Sequence, residues 1–545
     1  METEGLTMPY LIWLVVGPVW IGTLALLLPA RLARLLVTLF QGVLFALSAW
    51  VFLEIRQVGT VEQTLGNWPV FAAITLRADF LAIDLILLTA LVYTLAGLYE
   101  WNRAEKDRLF LFLFTAMQGL INGIFLSGDL FNLFVLLEVA TLVNSVLIMF
   151  KKDSQAMYDG LIYLLVNTVS MSFFLMGTGI LYKTTGLLDL KLLAGQIPVH
   201  PDPSSLLLPY AFLMVAASLK SALMPLFSWL PKAHGTPSAP SAVSAVLSGI
   251  YVKSGVYLYE RLQTVFSPVI DTRELFLVLG FITAVVGFVL ALLQKDIKLI
   301  LAYHTVSQIG LIMIGLNQGS EPASFGAFYH IINHALFKST LFLAAGLIIR
   351  RYQTQNIYDI RGLMRSMPLT GIATALAILG ITGAPFFNGS ISKYWIGYGS
   401  TGSWLEYGLL LINFGTILSF TKFSTILFGP RAKSLTQEGA RASDLLAEGV
   451  VLFMGVLCLL GGVFSESLTT VLFGLPMTIG AASFPTKSLT YLLLVLAAAA
   501  LYGGLLKKRA WLKSSGRFEL TFNGIVASQV GFFAFLLLYV IWQAR

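Results

Sequence analysis

Several ionisable side chains of this sequence lie deep within apolar stretches, where a charge is unfavourable. They are Glu138, Lys220, Lys253, His304, His330, His334, Lys338 and Lys393. A charge at the centre of a bilayer costs a few kcal/mol, and such residues usually mark a route for ions or protons. A structural ion pair can explain a single buried charge of this kind. It is a poor explanation for eight of them in one chain. The set therefore predicts a proton relay, whereas Lys422, near the end of its apolar run, is expected to snorkel to the interface.

Three of these residues follow one another at helical spacing. His330, His334 and Lys338 are four residues apart in "FYHIINHALFKSTLF" and share one helix face, about 6 Å apart along the axis. One or two waters can bridge such a gap, and histidine titrates near neutral pH. A metal site is the alternative, because two histidines four residues apart are a common ligand pair. No acidic or cysteine ligand lies nearby and the lysine would repel a cation, so the spacing favours a relay.

Two of the lysines lie beside prolines that interrupt apolar segments. Lys220 precedes Pro225 in "SLKSALMPLF", and Lys393 follows Pro385 in "TGAPFFNGSISK". A proline within a helix removes a backbone donor and disturbs the preceding turn. Broken helices at membrane depth persist only inside protein or beside water, and transporters place ion sites there. The two breaks predict two inverted five-helix repeats, each containing one broken helix.

The segments that carry these residues are long and apolar. Of the 545 residues, 57% are hydrophobic and 11% charged, and the mean hydropathy is +0.83, whereas soluble domains carry about a quarter charged residues. We predict an all-α polytopic membrane protein of about fourteen to sixteen transmembrane helices. The apolar runs are 9–30, 33–54, 78–100, 108–126, 129–150, 160–182, 205–228, 241–262, 274–294, 297–317, 323–349, 368–396, 405–428, 447–466, 486–506 and 521–543.

The net charge of +8 reflects membrane topology and does not indicate a nucleic-acid partner. Odd-numbered loops between the runs hold most of the basic residues, for example at 151–152, 350–351 and 507–513. Even-numbered loops hold only Arg56, Arg77, Lys183, Lys191, Arg261, Arg273 and Lys487. The positive-inside rule then places odd loops in the cytoplasm and the N-terminus outside a multi-pass inner (plasma) membrane protein. Of the outer loops, 55–77 is expected to form a hairpin and 185–204 an interfacial helix.

Five ordered segments resemble one known family. They are "SGDLFNLFVLLE", "LKSALMPLFSWLPKAH", "LAYHTVSQIG", "NHALFKSTLFLAAG" and "APFFNGSISK". They resemble the antiporter-like subunits shared by complex I, Mrp-type cation/proton antiporters and membrane-bound hydrogenases, over roughly residues 70–430. The first and third look most like the D-type subunit of Mrp antiporters. The resemblance implies partners that are other membrane subunits, and protons and Na⁺ as transported ions.

The resemblance also implies roles for individual residues. Glu138 matches a glutamate that pairs with the lysine of the broken seventh helix, here Lys220. Lys253 matches the lysine that passes protons to the centre, and Lys393 matches the exit lysine. Phe227 and Lys232 stand where the family often has histidine and aspartate, so an entry route through the seventh helix is not carried over.

Three functions remain open at this stage. The first is a proton- and cation-translocating subunit of an Mrp-like complex, and the second is an ion-pumping subunit of a redox-driven complex. The third is a stand-alone transporter of an organic solute. The single Cys458 excludes an intrachain disulfide and a cysteine-ligated cluster. With no haem-ligand pattern or dinucleotide motif either, we expect no cofactor, metal, redox or hydrolytic site in this chain.

The expected division of the chain follows the runs and the breaks. Residues 1–107 form N-terminal helices and an outer loop, and residues 108–262 form the first repeat. Residues 274–430 form the second repeat, and residues 431–545 form the C-terminal helices.

Overall fold

The protein is an all-α polytopic membrane protein, as the sequence predicts. The computed structural model describes residues 10–69, 73–102, 107–235, 239–430, 441–507 and 520–545. Within these ranges, 14 helices are long and apolar enough to cross a membrane. The N-terminal residues before Tyr10 and part of the predicted cytoplasmic loop at 507–513 lie outside the described residues.

The first half of the chain contains the first interrupted span. Its helices are α1 (Tyr10–Leu27), α2 (Ala30–Val58), α3 (Phe80–Tyr99), α4 (Arg108–Leu126), α5 (Leu130–Ile148), α6 (Ser154–Thr185), α7 (Leu190–Gln196), α8 (Leu207–Lys220), α9 (Trp229–Gly235), α10 (Ser241–Val246) and α11 (Val252–Phe266). A π-helical turn, Leu247–Tyr251, joins α10 to α11 within one continuous span.

The second half contains the other interrupted span. Its helices are α12 (Arg273–Leu293), α13 (Ile297–Asn317), α14 (Glu321–Tyr352), α15 (Leu363–Ser366), α16 (Pro368–Thr382), α17 (Asn388–Ile396), α18 (Trp404–Ser424), α19 (Arg441–Val463), α20 (Ser465–Phe473), α21 (Phe484–Leu501) and α22 (Phe522–Gln543). The predicted run 368–396 is therefore two short helices. The run 405–428 corresponds to α18, which carries Glu406, Asn413 and Lys422 among its apolar residues.

Aspartates at the helix starts explain where many of the spans begin. The side chains of Asp129, Asp153 and Asp296 accept hydrogen bonds from the first backbone N–H groups of α5, α6 and α13. These groups have no partner within the helix, so a capping carboxylate stabilises the end by about 1 kcal/mol. Asp129 of the "SGDLF" segment is thus a helix cap at the membrane boundary.

A hairpin and a short helix lie together on one side of the helices. Strand β1 (Val61–Thr64) pairs antiparallel with β2 (Thr75–Ala78), Val61 opposite Ala78, which confirms the hairpin expected in 55–77. The helix expected in 185–204 is α7. An ion pair of 2.9 Å between Lys191 and Glu62 joins the two segments, so loops predicted on the same side of the membrane are in contact.

The most buried helices carry most of the relay candidates. The span from α10 to α11, together with α13 and α14, is enclosed by protein on almost every side, whereas α21 and α22 lie at the edge. The helices α13 and α14 pack against each other, and α14 also packs against α10, α16 and α17. Polar side chains on α13 and α14 therefore face protein and not lipid.

Candidate functional site

The first broken helix lies between α8 and α9. Residues 221–228 are not helical, and Pro225 lies among them. The indole Nε1 of Trp229 donates a hydrogen bond of 2.7 Å to the carbonyl of Leu219 at the end of α8. A backbone carbonyl that the break leaves without a helical partner is thus hydrogen-bonded by protein, as is necessary at membrane depth. Lys220 is the last residue of α8.

Lys220 is buried, and hydroxyl groups bind its ammonium. Nζ donates a hydrogen bond of 2.7 Å to Oγ1 of Thr141 on α5 and lies 3.5 Å from the hydroxyl of Tyr251. The helix α11 approaches the break at Gly255, where a Cβ atom would collide with the backbone of Lys220 and Ser221. Only glycine permits this approach, which fixes the lysine relative to α11.

Glu138 does not form the expected ion pair with Lys220 in this structure. It lies on α5 one turn before Thr141 and is half-buried, and its Oε1 accepts a hydrogen bond of 3.4 Å from Thr168 on α6. Its Oε2 is shielded from solvent and has no partner among the described residues. In this arrangement the Lys220 ammonium donates to Thr141, and the Glu138 carboxylate accepts from Thr168.

Lys253 is bound by the π-helical turn and by a histidine. Its Nζ donates a hydrogen bond of 2.6 Å to the carbonyl of Ser248 and lies 2.5 Å from Nδ1 of His334 on α14. A π turn adds one residue to a helix, and such turns are frequent at functional sites. Here Leu247–Tyr251 directs a backbone carbonyl at a buried ammonium.

The two histidines of α14 extend the contacts from Lys253. The ring centroids of His334 and His330 are 6.4 Å apart. Nδ1 of His330 lies 2.9 Å from Oγ of Ser392 on α17, and Nε2 lies 3.1 Å from Oε1 of Gln308 on α13. His330 therefore joins α14 to α17, the helix that carries Lys393.

The second broken helix positions Lys393. Residues 383–387 separate α16 from α17, and Pro385 lies among them. Nζ of the partly buried Lys393 donates hydrogen bonds of 2.8 Å to the carbonyl of Ile381 and 2.9 Å to Oδ1 of Asn413 on α18. The carbonyl belongs to the last turn of α16, so the ammonium lies at the negative end of that helix.

The two remaining relay candidates bind other helices. Nε2 of His304 lies 2.8 Å from Oγ of Ser419 on α18. Lys338 is buried and donates a hydrogen bond of 2.7 Å to the carbonyl of Leu301 on α13. The ammonium of Lys338 is thus directed at α13, although the residue shares a helix face with the two histidines.

The structure brings most of the candidates into one line. Tyr251, beside Lys220, and Ser248, which binds Lys253, belong to the same π turn. The line continues through His334 and His330 of α14 to Ser392, the neighbour of Lys393. Glu138 stands at its beginning on α5, and Lys338 and His304 stand beside it.

The four candidate lysines have no carboxylate partner among the described residues. Hydroxyl, amide or backbone oxygens bind Lys220, Lys253, Lys338 and Lys393. A buried charge without a counter-ion is costly. When a proton passes from one such group to the next, the number of buried charges stays the same. Proton transfer along the line therefore adds no further desolvation cost.

Three buried basic residues at this site were missed or misassigned from the sequence. Lys298, at the start of the run 297–317 and not among the candidates, is buried and donates a hydrogen bond of 2.8 Å to the carbonyl of Ala239. His234 is buried with its ring stacked on Phe342, the centroids 4.8 Å apart. The expectation that Lys422 snorkels to the interface is wrong, because its side chain is fully buried. The only hint in the sequence is that these residues lie in or next to apolar runs. That hint does not predict their burial, because the burial of a helix end depends on tertiary packing.

The metal alternative for His330 and His334 finds no support in the geometry. Within the described ranges, no group of three or more His, Cys, Asp or Glu side chains is placed to hold a metal ion. The neighbours of the two rings are a lysine, a serine and a glutamine. These groups suit hydrogen bonding and proton transfer.

Proteins of known sequence resemble most of this chain. The N-type subunit of NADH-quinone oxidoreductase from Desulforudis audaxviator is 32% identical over 431 residues, which cover 74% of this chain and 85% of the relative. The D-type subunit of the Na⁺/H⁺ antiporter from Alkalihalophilus pseudofirmus is 30% identical over 354 residues, 64% of this chain and 71% of the relative.

Solved structures share the fold. A chain of the Mrp complex from Dietzia sp. superposes with a TM-score of 0.78 at 21% identity, covering 93% of this chain and 100% of the other. A chain of the membrane-bound sulfane sulfur reductase, an archaeal respiratory membrane complex, superposes with a TM-score of 0.76 at 23% identity, covering 90% and 99%.

The family described as "NADH:quinone oxidoreductase/Mrp antiporter, TM" matches residues 127–419, which include both broken helices and all the relay candidates. The resemblance seen in five sequence segments is therefore confirmed, and the chain belongs to the NADH:quinone oxidoreductase/Mrp antiporter transmembrane family.

Proposed function

We propose that this chain is the proton-translocating subunit of a multi-subunit membrane complex that exchanges protons for Na⁺ or another cation. One observation carries the proposal. Titratable side chains and hydroxyl groups run from Lys220 at the first broken helix to Lys393 at the second, through Lys253, His334 and His330. Two relatives are named as subunits of a Na⁺/H⁺ antiporter and of an NADH-quinone oxidoreductase, which supports a membrane subunit with partners.

Glu138 and Lys220 would form the switch that starts transfer along this line. In the present arrangement Thr141 binds the ammonium, and one carboxylate oxygen of Glu138 has no partner among the described residues. Thr141 lies one helical turn from Glu138, so rotation of the two long side chains can bring their charges together. The pair would form and open as charge moves in a neighbouring subunit.

Substitution of either member of the switch tests the proposal. The complex that contains this chain is purified, reconstituted into liposomes and assayed for proton flux with an internal pH-sensitive dye. We expect Glu138→Gln and Lys220→Ala to abolish flux while the complex still assembles. Lys183→Met, at an exposed lysine at the end of α6, is the control and should retain the flux. Wild-type flux in both switch variants would reject the mechanism.

A redox-driven complex is the second candidate function. The observation that favours it is the 32% identity to the N-type subunit of an NADH-quinone oxidoreductase. Mild purification followed by mass spectrometry, iron assay and flavin assay separates the two candidates. Cofactor-free membrane partners support an antiporter, and iron–sulfur or flavin partners support a redox-driven pump.

We also propose a plasma-membrane location with the N-terminus outside, and a division into repeats at 108–262 and 274–430. The excess of basic residues in odd loops supports the orientation. One broken helix in each segment supports the repeats. Because the single native Cys458 is buried, a membrane-impermeant maleimide should label Gln63→Cys from outside the cell. Labelling only after the membrane is opened would reverse the orientation.

A further inference from the structure

Lys422 occupies a position that the proposed relay does not use. It lies on the last turn of α18, and its ammonium donates a hydrogen bond of 2.6 Å to the carbonyl of Leu292 and a second one to the carbonyl of Gln294. These carbonyls close α12 at the loop 294–298, which the charge pattern assigns to the cytoplasm. A fully buried ammonium thus lies directly beneath a cytoplasmic loop.

Polar groups continue from Lys422 towards the interior. Ser419 precedes it by one turn on the same helix, and Oγ of Ser419 lies 2.8 Å from Nε2 of His304. The other ring nitrogen of His304 is buried and has no partner in the part of the chain that the structure describes. The ring is therefore hydrogen-bonded to α18 through Nε2, and its Nδ1 is free to bind a water.

The inner end of this path reaches the central lysine. Thr305, the neighbour of His304 on α13, lies 2.7 Å from Oγ of Ser248, hydroxyl to hydroxyl. The carbonyl of Ser248 binds Nζ of Lys253 at 2.6 Å. These two hydroxyl groups lie beside Lys253, and a bridging water is needed to carry a proton to them from Nδ1 of His304.

Capping of α12 is the simpler explanation for Lys422, because helix C-termini attract cations. Capping explains the two carbonyl contacts. It does not explain why a serine bound to a buried histidine lies one turn further inward on the same helix. An arginine would also cap the helix, but it does not release a proton near neutral pH. The two roles can therefore be separated by experiment.

We propose that Lys422 is the cytoplasmic entry of the relay and passes protons through Ser419 to His304. This inference rests on the proposed function. Neutral Nζ takes a proton from a cytoplasmic hydronium and leaves water. The ammonium then swings on its flexible stem, or uses one bridging water, and protonates Oγ of Ser419 while the hydroxyl proton of Ser419 passes to Nε2 of His304.

The cycle closes within the same residues. His304, now protonated on both nitrogens, releases the Nδ1 proton to the interior. Exchange with water moves the remaining Nε2 proton of the ring to Nδ1, and rotation of the Ser419 hydroxyl then restores the starting state. One proton has then crossed from the cytoplasm to the relay, and Lys422 and Ser419 are unchanged.

The test uses the complex that contains this chain, reconstituted into liposomes with an internal pH-sensitive dye. Lys422→Arg keeps a charge at the end of α12 but removes the proton carrier, and Ser419→Ala removes the link to His304. We expect proton flux to fall at least about tenfold in each variant. Thr421→Ala is the matched control, because its hydroxyl bonds only to its own helix, at Ile417, and flux should stay within about twofold.

Each outcome decides the inference. Wild-type flux in Lys422→Arg shows that the residue only caps α12, and wild-type flux in Ser419→Ala breaks the path. Either result overturns the entry route. If the melting temperature shows that Lys422→Arg is misfolded, Ser419→Ala decides alone. If Glu138→Gln abolishes flux while Lys422→Arg and Ser419→Ala retain it, the proposed function stands and this inference fails. Absence of flux in the wild-type complex rejects both.

Discussion

At the scale of single residues, the interior binds its lysines with neutral oxygens. Lys220 donates to a threonine hydroxyl, Lys253 and Lys338 donate to backbone carbonyls, and Lys393 donates to a carbonyl and an amide. The sequence predicts the residues themselves, because an ionisable group within an apolar run is conspicuous. It does not predict their partners, since carbonyl groups have no signature in the sequence and the hydroxyl partners lie far along the chain.

Replacement of Lys253 should separate transport from stability. We expect Lys253→Met to lower proton flux at least about tenfold, while the melting temperature in detergent stays the same or rises, because a buried charge without a counter-ion is removed. Lys183→Met at the exposed end of α6 is the control. Normal flux in Lys253→Met would remove this residue from the relay.

Asp79, which caps the start of α3, gives a pH-dependent contribution to stability. Burial raises the pKa of the Asp79 carboxyl, but the charge of Arg261 at 2.7 Å and hydrogen bonds from Arg261 and Ala82 outweigh this effect and hold the pKa below its usual value. Because the folded-state pKa is the lower one, the stabilisation is present above about pH 4 and is lost as the pH falls through the folded value.

The Asp79→Asn variant tests this contribution, because asparagine keeps the helix cap and removes the charge. We expect the variant to melt at a lower temperature than the wild type at pH 7, and we expect the difference to shrink below about pH 4. Thermal unfolding of both proteins across the pH range is the measurement. A difference that does not change with pH would assign the effect to the cap and not to the ion pair.

At the scale of elements, two breaks and one π turn direct backbone groups at the relay. Pro225 and Pro385 predict two interruptions, and the structure has non-helical chain around them, at 221–228 and 383–387. The π turn at Leu247–Tyr251 is not predictable from sequence, because its residues have no pattern that distinguishes a π turn from an α-helix. The hairpin is predicted from alternation and a turn signal, whereas the burial of Lys422 is not, since it depends on the packing of α18 against α12.

Gly255 on α11 positions the first break. In Gly255→Ala the new methyl group would collide with the backbone of Lys220 and Ser221, and overpacking of this kind costs about 1–3 kcal/mol. We therefore expect a lower melting temperature and reduced proton flux.

The matched control is Gly179→Ala on α6, where a Cβ atom has no neighbour within 4 Å. Alanine is the better helix former, so this variant should be as stable as the wild type or slightly more stable. If Gly255→Ala behaves like Gly179→Ala, the close approach of α11 to the break does not position Lys220.

At the scale of the whole molecule, the chain encloses the residues of the proposed relay except at Glu138. The central helices are surrounded by protein, but Glu138 is half-exposed on a helix whose outward residues are apolar, among them Val135, Val139 and Leu142. A carboxylate at membrane depth that faces lipid is costly. A neighbouring membrane subunit is therefore expected to cover this face of α5.

Crosslinking through α5 tests the contact. In the intact complex, Val139→Cys labelled with a maleimide that carries a photoreactive benzophenone group should crosslink to a partner protein on illumination, and mass spectrometry identifies the partner. The parent chain is the control, because its Cys458 is buried and should not react. Modification of the new cysteine by a lipid-soluble reagent without any crosslink would show that this face of α5 meets lipid.

The π turn also sets the helical phase of the span that contains it. One additional residue rotates everything after it by about 100° relative to a continuous α-helix. A helical wheel drawn from Ser241 therefore assigns Lys253 to the wrong face. Deletion of one residue within Leu247–Tyr251 would restore the α-helical phase and turn Lys253 away from His334, even though every ionisable residue would still be present. When proteins of this architecture are compared, the two parts of this helix, before and after the π turn, should accordingly be aligned as separate segments.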